Sequence, residues 1–192
     1  RDVISFARSK GYFKGHDDEF SFSDAFAPAD FSSQRFCEAR VWSLFNHFTT
    51  GMDKYVPFVD GKHIGTSEVM PLYVKPTQLL SLEDVMSAMR DHYENTPFDG
   101  TKDAGSGVWG APYRPSPLTW EHEGKKYFNE RPVSTHQASF VIVCELRGSM
   151  PNAVGAVLWF ANDDANITPF VPVYCSLTKV PECFADSTAN DH

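Results

Sequence analysis

Apolar positions cluster most densely between Tyr127 and Tyr174. The run Phe140-Val141-Ile142-Val143-Cys144 is followed by a turn-rich link, then by Val154-Gly155-Ala156-Val157-Leu158-Trp159-Phe160. A second link leads to Pro169-Phe170-Val171-Pro172-Val173-Tyr174. Each run has strand length and is rich in β-branched and aromatic residues. The links Arg147–Asn152 and Asn162–Asn166 carry residues that tolerate tight turns. The pattern predicts an antiparallel meander. Because the first two runs are apolar at nearly every position, both faces of that sheet are expected to be covered.

Upstream the period changes. Val41, Leu44, Phe45 and Phe48 recur at helical spacing, with Ser32 or Ser33 able to cap the start and Thr49-Thr50-Gly51 closing the end. A second helix is predicted from Ser81, followed by Glu83 and Asp84, with an apolar stripe of Leu82, Val85, Met86 and Met89 and an end near His92-Tyr93. A short helix is expected over Val3–Arg8. Phe20–Phe31 reads as a strand or packed loop, and Tyr55–Val59 and Met70–Val74 as strands or an extended excursion around Asp60-Gly61-Lys62. Glu123-Gly124-Lys125 turns a hairpin between Trp120 and Tyr127. The segment 95–117 is rich in glycine and proline, and loops of that length often cover binding sites. It is read as a lid, with Trp109, Tyr113 and Arg114 as ligand contacts or, equally, with the aromatics as anchors that hold the loop to the core. Residues 176–192 read as a tail.

The whole is an α+β chain, and at 192 residues one domain spanning 1–192 is expected. Hydrophobic content of 42% suffices for a core. A net charge of −8 argues against nucleic acid or an anionic membrane surface as partner. The chain starts at Arg1 without Met or signal peptide, so it is expected to begin inside a longer protein.

Chemistry is sparse. Cys37, Cys144, Cys175 and Cys183 lack zinc-ligand spacing and read as buried thiols. His16-Asp17-Asp18-Glu19 is too contiguous to converge on an ion and reads as a solvated loop. His136 and Cys144 share strand parity but stand about 26 Å apart along an extended chain, so His136 reads as a structural histidine. No phosphate loop, serine elbow or metalloprotease histidine pair occurs.

Three blocks carry a resemblance: Phe36-Cys37-Glu38-Ala39-Arg40-Val41-Trp42, Met89-Arg90-Asp91-His92-Tyr93-Glu94-Asn95-Thr96-Pro97-Phe98-Asp99, and Tyr113-Arg114-Pro115-Ser116-Pro117-Leu118 continuing through Phe128–Thr135 to Trp159-Phe160. Together they resemble cysteine dipeptidases of the N-terminal-nucleophile hydrolase superfamily, which includes secernin-like proteins. Asp30-Phe31-Ser32-Ser33-Gln34-Arg35-Phe36 is more distantly similar to a segment of penicillin V acylases and bile salt hydrolases, in which an active-site arginine follows.

The resemblance implies a four-layer αββα sandwich, hydrolysis of a short peptide through a thioester, no cofactor and no metal. It makes Arg35 a supporting catalytic residue, although the arginine comes one position earlier here than in those relatives. The alternative for Arg35 is a surface residue paired with Glu38 or Glu19. Trp109, Tyr113, Arg114, Arg131, Ser134 and His136 are the candidate substrate contacts.

The family's nucleophile is the first residue of the mature chain, where the α-amino group serves as base for its own thiol. Arg1 is not that cysteine, and all four cysteines are internal. The chain is therefore expected to be an internal fragment, inactive alone, whose partners are a peptide substrate and the remainder of the same polypeptide. Two rivals stand beside this: a peptide- or carbohydrate-binding module built on Trp109, Trp120 and Tyr113, and an amidase of the same superfamily acting on acylated amino acids.

Overall fold

The computed structural model describes residues 2–102, 104–113, 119–128 and 131–184. They fall into two compact units, residues 1–77 and 78–192.

The first unit is helical. Asp2 caps α1 (Val3–Ser9) by accepting from the Ile4 N–H at 3.0 Å. A 3₁₀ turn over Asp17–Glu19 follows, in which the Glu19 carboxylate accepts from the His16 N–H and Asp17 pairs with Arg8. Phe20–Phe31 contains a short helix, α2 (Phe22–Phe26), in place of a strand. Its aromatic spacing serves ring packing, with Phe22 and Phe26 centroids 4.9 Å apart and Phe26 edge-on to Tyr12.

The next helix is interrupted. α3 (Phe31–Ser33) runs into a π-helical turn at Gln34–Glu38 and then α4 (Ala39–Phe48). Asp30 supplies the cap by accepting from the Ser33 N–H at 2.7 Å, while the Ser33 hydroxyl accepts from the Asp30 N–H. Ser33 is thus the reciprocal partner in a capping box. The buried face also differs from the predicted stripe: Arg35, Ala39, Trp42 and Ser43 are buried, whereas Val41, Leu44, Phe45 and Phe48 are partly or fully exposed. The large Trp42 ring sets this orientation. It is 1% exposed and its indole N–H donates to the Met52 carbonyl at 2.8 Å.

Tyr55–Val59 is helical, with a 3₁₀ turn over Met52–Tyr55 leading into α5 (Val56–Val59). Pro57 near its start suits a helix entry, where a missing N–H has no intrahelical partner. Gly61 sits at φ +75°, and a Cβ there would lie 2.7 Å from the Phe31 ring. Met70–Val74 forms neither strand nor helix. Thr77 closes the unit, its N–H donating to the Phe48 carbonyl at 2.9 Å.

The second unit is mixed. Ser81 and Asp84 form a reciprocal capping box at the start of α6 (Leu82–Ala88), which ends one turn earlier than its stripe suggests. The hairpin forms as predicted: β1 (Thr119–His122) pairs antiparallel with β2 (Lys125–Phe128), and Glu123 and Gly124 both take positive φ. The meander is β3 (Phe140–Leu146), β4 (Ala156–Asn162) and β5 (Val171–Tyr174), in the order β3-β4-β5. Cys144 stands opposite Leu158, and Leu158 opposite Val173. A single helical turn, α7 (Asn152–Gly155), takes up Val154 and Gly155, so the second run enters the sheet only at Ala156.

Coverage of this sheet differs from expectation. Val143, Val157 and Ala161 are buried on one face. The opposite face carries Phe140, Ile142, Cys144, Leu146 and Leu158, all exposed among the described residues. At Phe160 the Phe184 ring approaches this face, with centroids 5.9 Å apart. The cysteines follow suit: Cys37, Cys144 and Cys175 are free and exposed rather than buried.

One loop carries a pH signature. The Asp99 carboxylate accepts from the Thr101 hydroxyl at 2.6 Å and the Asn95 N–H at 3.2 Å, and meets Lys102 Nζ at 3.0 Å. The Thr101 hydrogen bond, more than any other contact, holds Asp99 well below the usual carboxylate range. A lowered folded-state value stabilises the fold above the unfolded value, about 3.9, and the contribution fades as pH falls below that. Amide protection over residues 95–101 should therefore decline from about pH 5 downward. In Asp99→Asn it should be weaker at neutral pH and flatter with acid. Equal acid sensitivity in both proteins would contradict this origin.

Candidate functional site

The second unit holds a buried polar network where α6 ends. Past Ala88 the chain turns, and the Asp91 carbonyl accepts from the Ser134 N–H at 2.9 Å. Asp91 Oδ1 accepts from the Tyr93 N–H at 3.1 Å. Tyr93 adopts φ +66°, a conformation costly for an aromatic residue and common where a site fixes its backbone. Its ring is buried edge-on to Phe98, and its hydroxyl donates to the Arg131 carbonyl at 3.1 Å.

His92 is 2% exposed. Glu94 holds it twice, accepting from its backbone N–H at 2.7 Å and facing ring Nδ1 at 3.1 Å. A carboxylate accepts, which pairs it with a protonated Nδ1 and leaves Nε2 as the acceptor in that tautomer. Nε2 is buried and has no hydrogen-bond partner among the described residues. The ring stands edge-on to Tyr113, with centroids 5.6 Å apart.

The second meander link completes the network. Asp164 is fully buried. Its Oδ1 accepts from the Ser134 hydroxyl and from the Asn166 N–H, while Oδ2 has no partner among the described residues. The Asn166 side-chain amide donates to the Tyr113 hydroxyl oxygen at 3.0 Å. Arg90 anchors the link by donating from Nε to the Ala165 carbonyl at 2.8 Å, with its guanidinium over the Phe170 ring. Arg131 Nε is a further buried atom without a partner.

In the first unit the π-helical turn concentrates polar groups. Arg35 is 5% exposed and so is a buried arginine, not a surface one. Gln34 is buried beside it, and its Oε1 has no partner. Burial pushes the Glu38 carboxyl up from its ordinary value. Single π turns inside α-helices occur frequently at functional sites.

Of the sequence-derived contacts, Tyr113, Arg131 and Ser134 join one network. Ser134 is enclosed by Asp91 and Asp164. Trp109 projects from the loop at 91% exposure. His136 is exposed and lies 2.8 Å from the Gln137 amide through Nε2. Arg114 lies outside the described residues. Asp91, His92, Glu94, Asp164 and Asn166 were not among the sequence candidates. The first three sit inside the resembling block 89–99, where an acid beside a histidine was the available signal; the last two read only as turn residues.

These residues fall within a single match. Residues 1–191 match peptidase family C69. The chain belongs to that family. Among the C69 chain's relatives, a probable dipeptidase of Salmonella dublin is 23% identical over 172 residues, which cover 90% of this chain and 33% of the relative. Dipeptidase A of Lactobacillus helveticus is 22% identical, covering 86% and 29%. A dipeptidase of Bifidobacterium longum is 25% identical, covering 88% and 28%. The chain spans about a third of the length of these curated relatives. No solved structure matches it. The resemblance to cysteine dipeptidases therefore holds at the level of the family, and the chain carries helices and antiparallel sheets as an α+β member.

Proposed function

We propose that this C69 chain is a portion of a longer dipeptidase that hydrolyses short peptides by acyl transfer to an N-terminal cysteine lying outside these 192 residues. The match over residues 1–191 carries this reading. In that reaction the cysteine Sγ attacks the peptide carbonyl while its proton passes to the α-amino group. The C–N bond then breaks, the leaving amine takes a proton, and water cleaves the thioester. The described thiols are poorly suited to this role. Cys37 sits in a helix, Cys144 within β3 and Cys175 just after β5, so none has a free α-amino group.

Within the proposal, residues 1–192 form one internal part of an αββα sandwich, and Arg35 supports the nucleophile's surroundings. Trp109, Tyr113, Arg114, Arg131, Ser134 and His136 remain the proposed substrate-side residues. The exposed apolar face of β3-β4-β5 supports the need for more protein, since contiguous apolar surface on a monomer is usually covered or functional. No helix among the described residues is long and apolar enough to cross a membrane.

A second reading has its own support. Trp109 is almost fully exposed, and Trp120 stacks on Tyr127 at 5.7 Å with both rings partly open, an arrangement suited to a peptide- or carbohydrate-binding module. Incubating the purified chain with a dipeptide panel tests whether the catalytic thiol lies within it: we expect no amino acids released. Turnover that survives further purification and disappears in Cys144→Ala would overturn the terminal-cysteine reading.

A further inference from the structure

Among the described residues of the second unit, two buried atoms able to accept find no donor: Asp164 Oδ2 and His92 Nε2. Such atoms are rare, because desolvating an acceptor without replacing its hydrogen bond is unfavourable. For a buried carboxylate the imbalance is larger than for a neutral group. The Asp164 network accounts for Oδ1 twice and leaves Oδ2 open. Glu94 holds the His92 ring through Nδ1, and in the tautomer with Nδ1 protonated Nε2 is an acceptor.

Tyr113 connects the two. Its ring meets His92 at one side, and its hydroxyl is bound by Asn166, whose backbone N–H also donates to Asp164. A carboxylate oxygen, an imidazole lone pair and a phenol ring are together the complement of a cation with several N–H donors. A primary ammonium carries three donors and is attracted to aromatic faces.

We infer that Asp164, His92 and Tyr113 form a recognition site for a primary ammonium group, the free amino terminus of a short peptide. This rests on the peptidase reading for the identity of the ligand, although not for the site's existence. Tyr113 is half-buried, and a ligand reaches the acceptors by displacing its ring. The segment leading to it permits this: Gly107 and Gly110 both take positive φ, and Val108 and Trp109 are exposed. Glu94 acts as a positioning residue through His92.

The test uses the chain labelled with ¹⁵N and two probes, glycinamide and N-acetylglycinamide, which differ in the free ammonium. Glycinamide should shift the His92 Nε2 resonance saturably, N-acetylglycinamide should not, and Asp164→Asn should weaken glycinamide at least tenfold. Should Asp164→Asn lose the native spectrum, Tyr113→Leu, which keeps both acceptors and removes the ring, must weaken glycinamide at least threefold. No saturable shift in the wild type, equal response to both probes, or unaltered affinity in a folded variant would overturn the inference. A pair of acceptors bridged only by water gives the first of those results. Dipeptide hydrolysis by the longer polypeptide is measured separately, so failure of glycinamide binding removes this site and leaves the peptidase reading standing. Binding without hydrolysis does the reverse.

Discussion

Arg35→Lys, placed in the longer polypeptide, should lower dipeptide turnover by roughly 10²-fold, the scale seen when a charge-stabilising donor is removed from an active site. The structure sharpens this expectation, because Arg35 is buried in a π-helical turn. A guanidinium there stays protonated near neutral pH and offers a planar fork of donors, whereas a lysine ammonium is a point charge on a flexible stem. The control is stability. A purely structural Arg35 would lower Tm by several degrees while leaving kcat per folded molecule near normal. A supporting catalytic role gives the opposite split, a large loss in kcat with Tm moved by a few degrees at most. Retention of more than about half the activity would remove Arg35 and direct attention to Arg131, whose Nε is buried without a partner.

Trp42→Ala should be the most damaging single change to the first unit. Replacing a buried tryptophan by alanine typically costs about 3–5 kcal/mol through lost burial and the cavity left behind. The Met52 carbonyl would also lose its indole donor. Against a typical domain stability of about 5–15 kcal/mol, that loss is enough to leave the unit largely unfolded at moderate temperature. Trp42→Phe separates the two effects: it retains most of the ring and removes the hydrogen bond, so about 1–2 kcal/mol is expected. Urea unfolding followed by helical circular dichroism reads both. A loss below about 1 kcal/mol in Trp42→Ala would show that Trp42 does not organise this helix.

How legible these features were depended on whether the signal was local. The meander, the Glu123-Gly124 hairpin and the Ser81 capping box are specified by neighbours in sequence, and the structure has all three. The buried face of α4 was not local. Val41, Leu44, Phe45 and Phe48 have good spacing, yet Trp42 and its bond to Met52 decide which side turns inward. Tyr55–Val59 shows the known ambiguity of short apolar runs, which periodicity cannot assign to strand or helix.

Apolar density in β3 and β4 signalled coverage of both faces, but the described residues bury only one. The polar network was least legible. Asp91, Ser134 and Asp164 lie 30 to 73 positions apart in sequence and meet only through the fold (91 to 134, 134 to 164, 91 to 164). Asp164 and Asn166 looked like turn residues because that is also what turns are made of.

The nucleophile is the centre of the account, and a rapid quench tests it most directly. The longer polypeptide is mixed with a slowly hydrolysed dipeptide, stopped in acid and digested, and the mass of each cysteine-containing peptide is measured. The account predicts an acyl adduct on an N-terminal cysteine, removed by hydroxylamine as a thioester should be, with Cys37, Cys144, Cys175 and Cys183 unmodified. An adduct on one of those four internal cysteines, or steady turnover with the N-terminal cysteine changed to alanine, would contradict it.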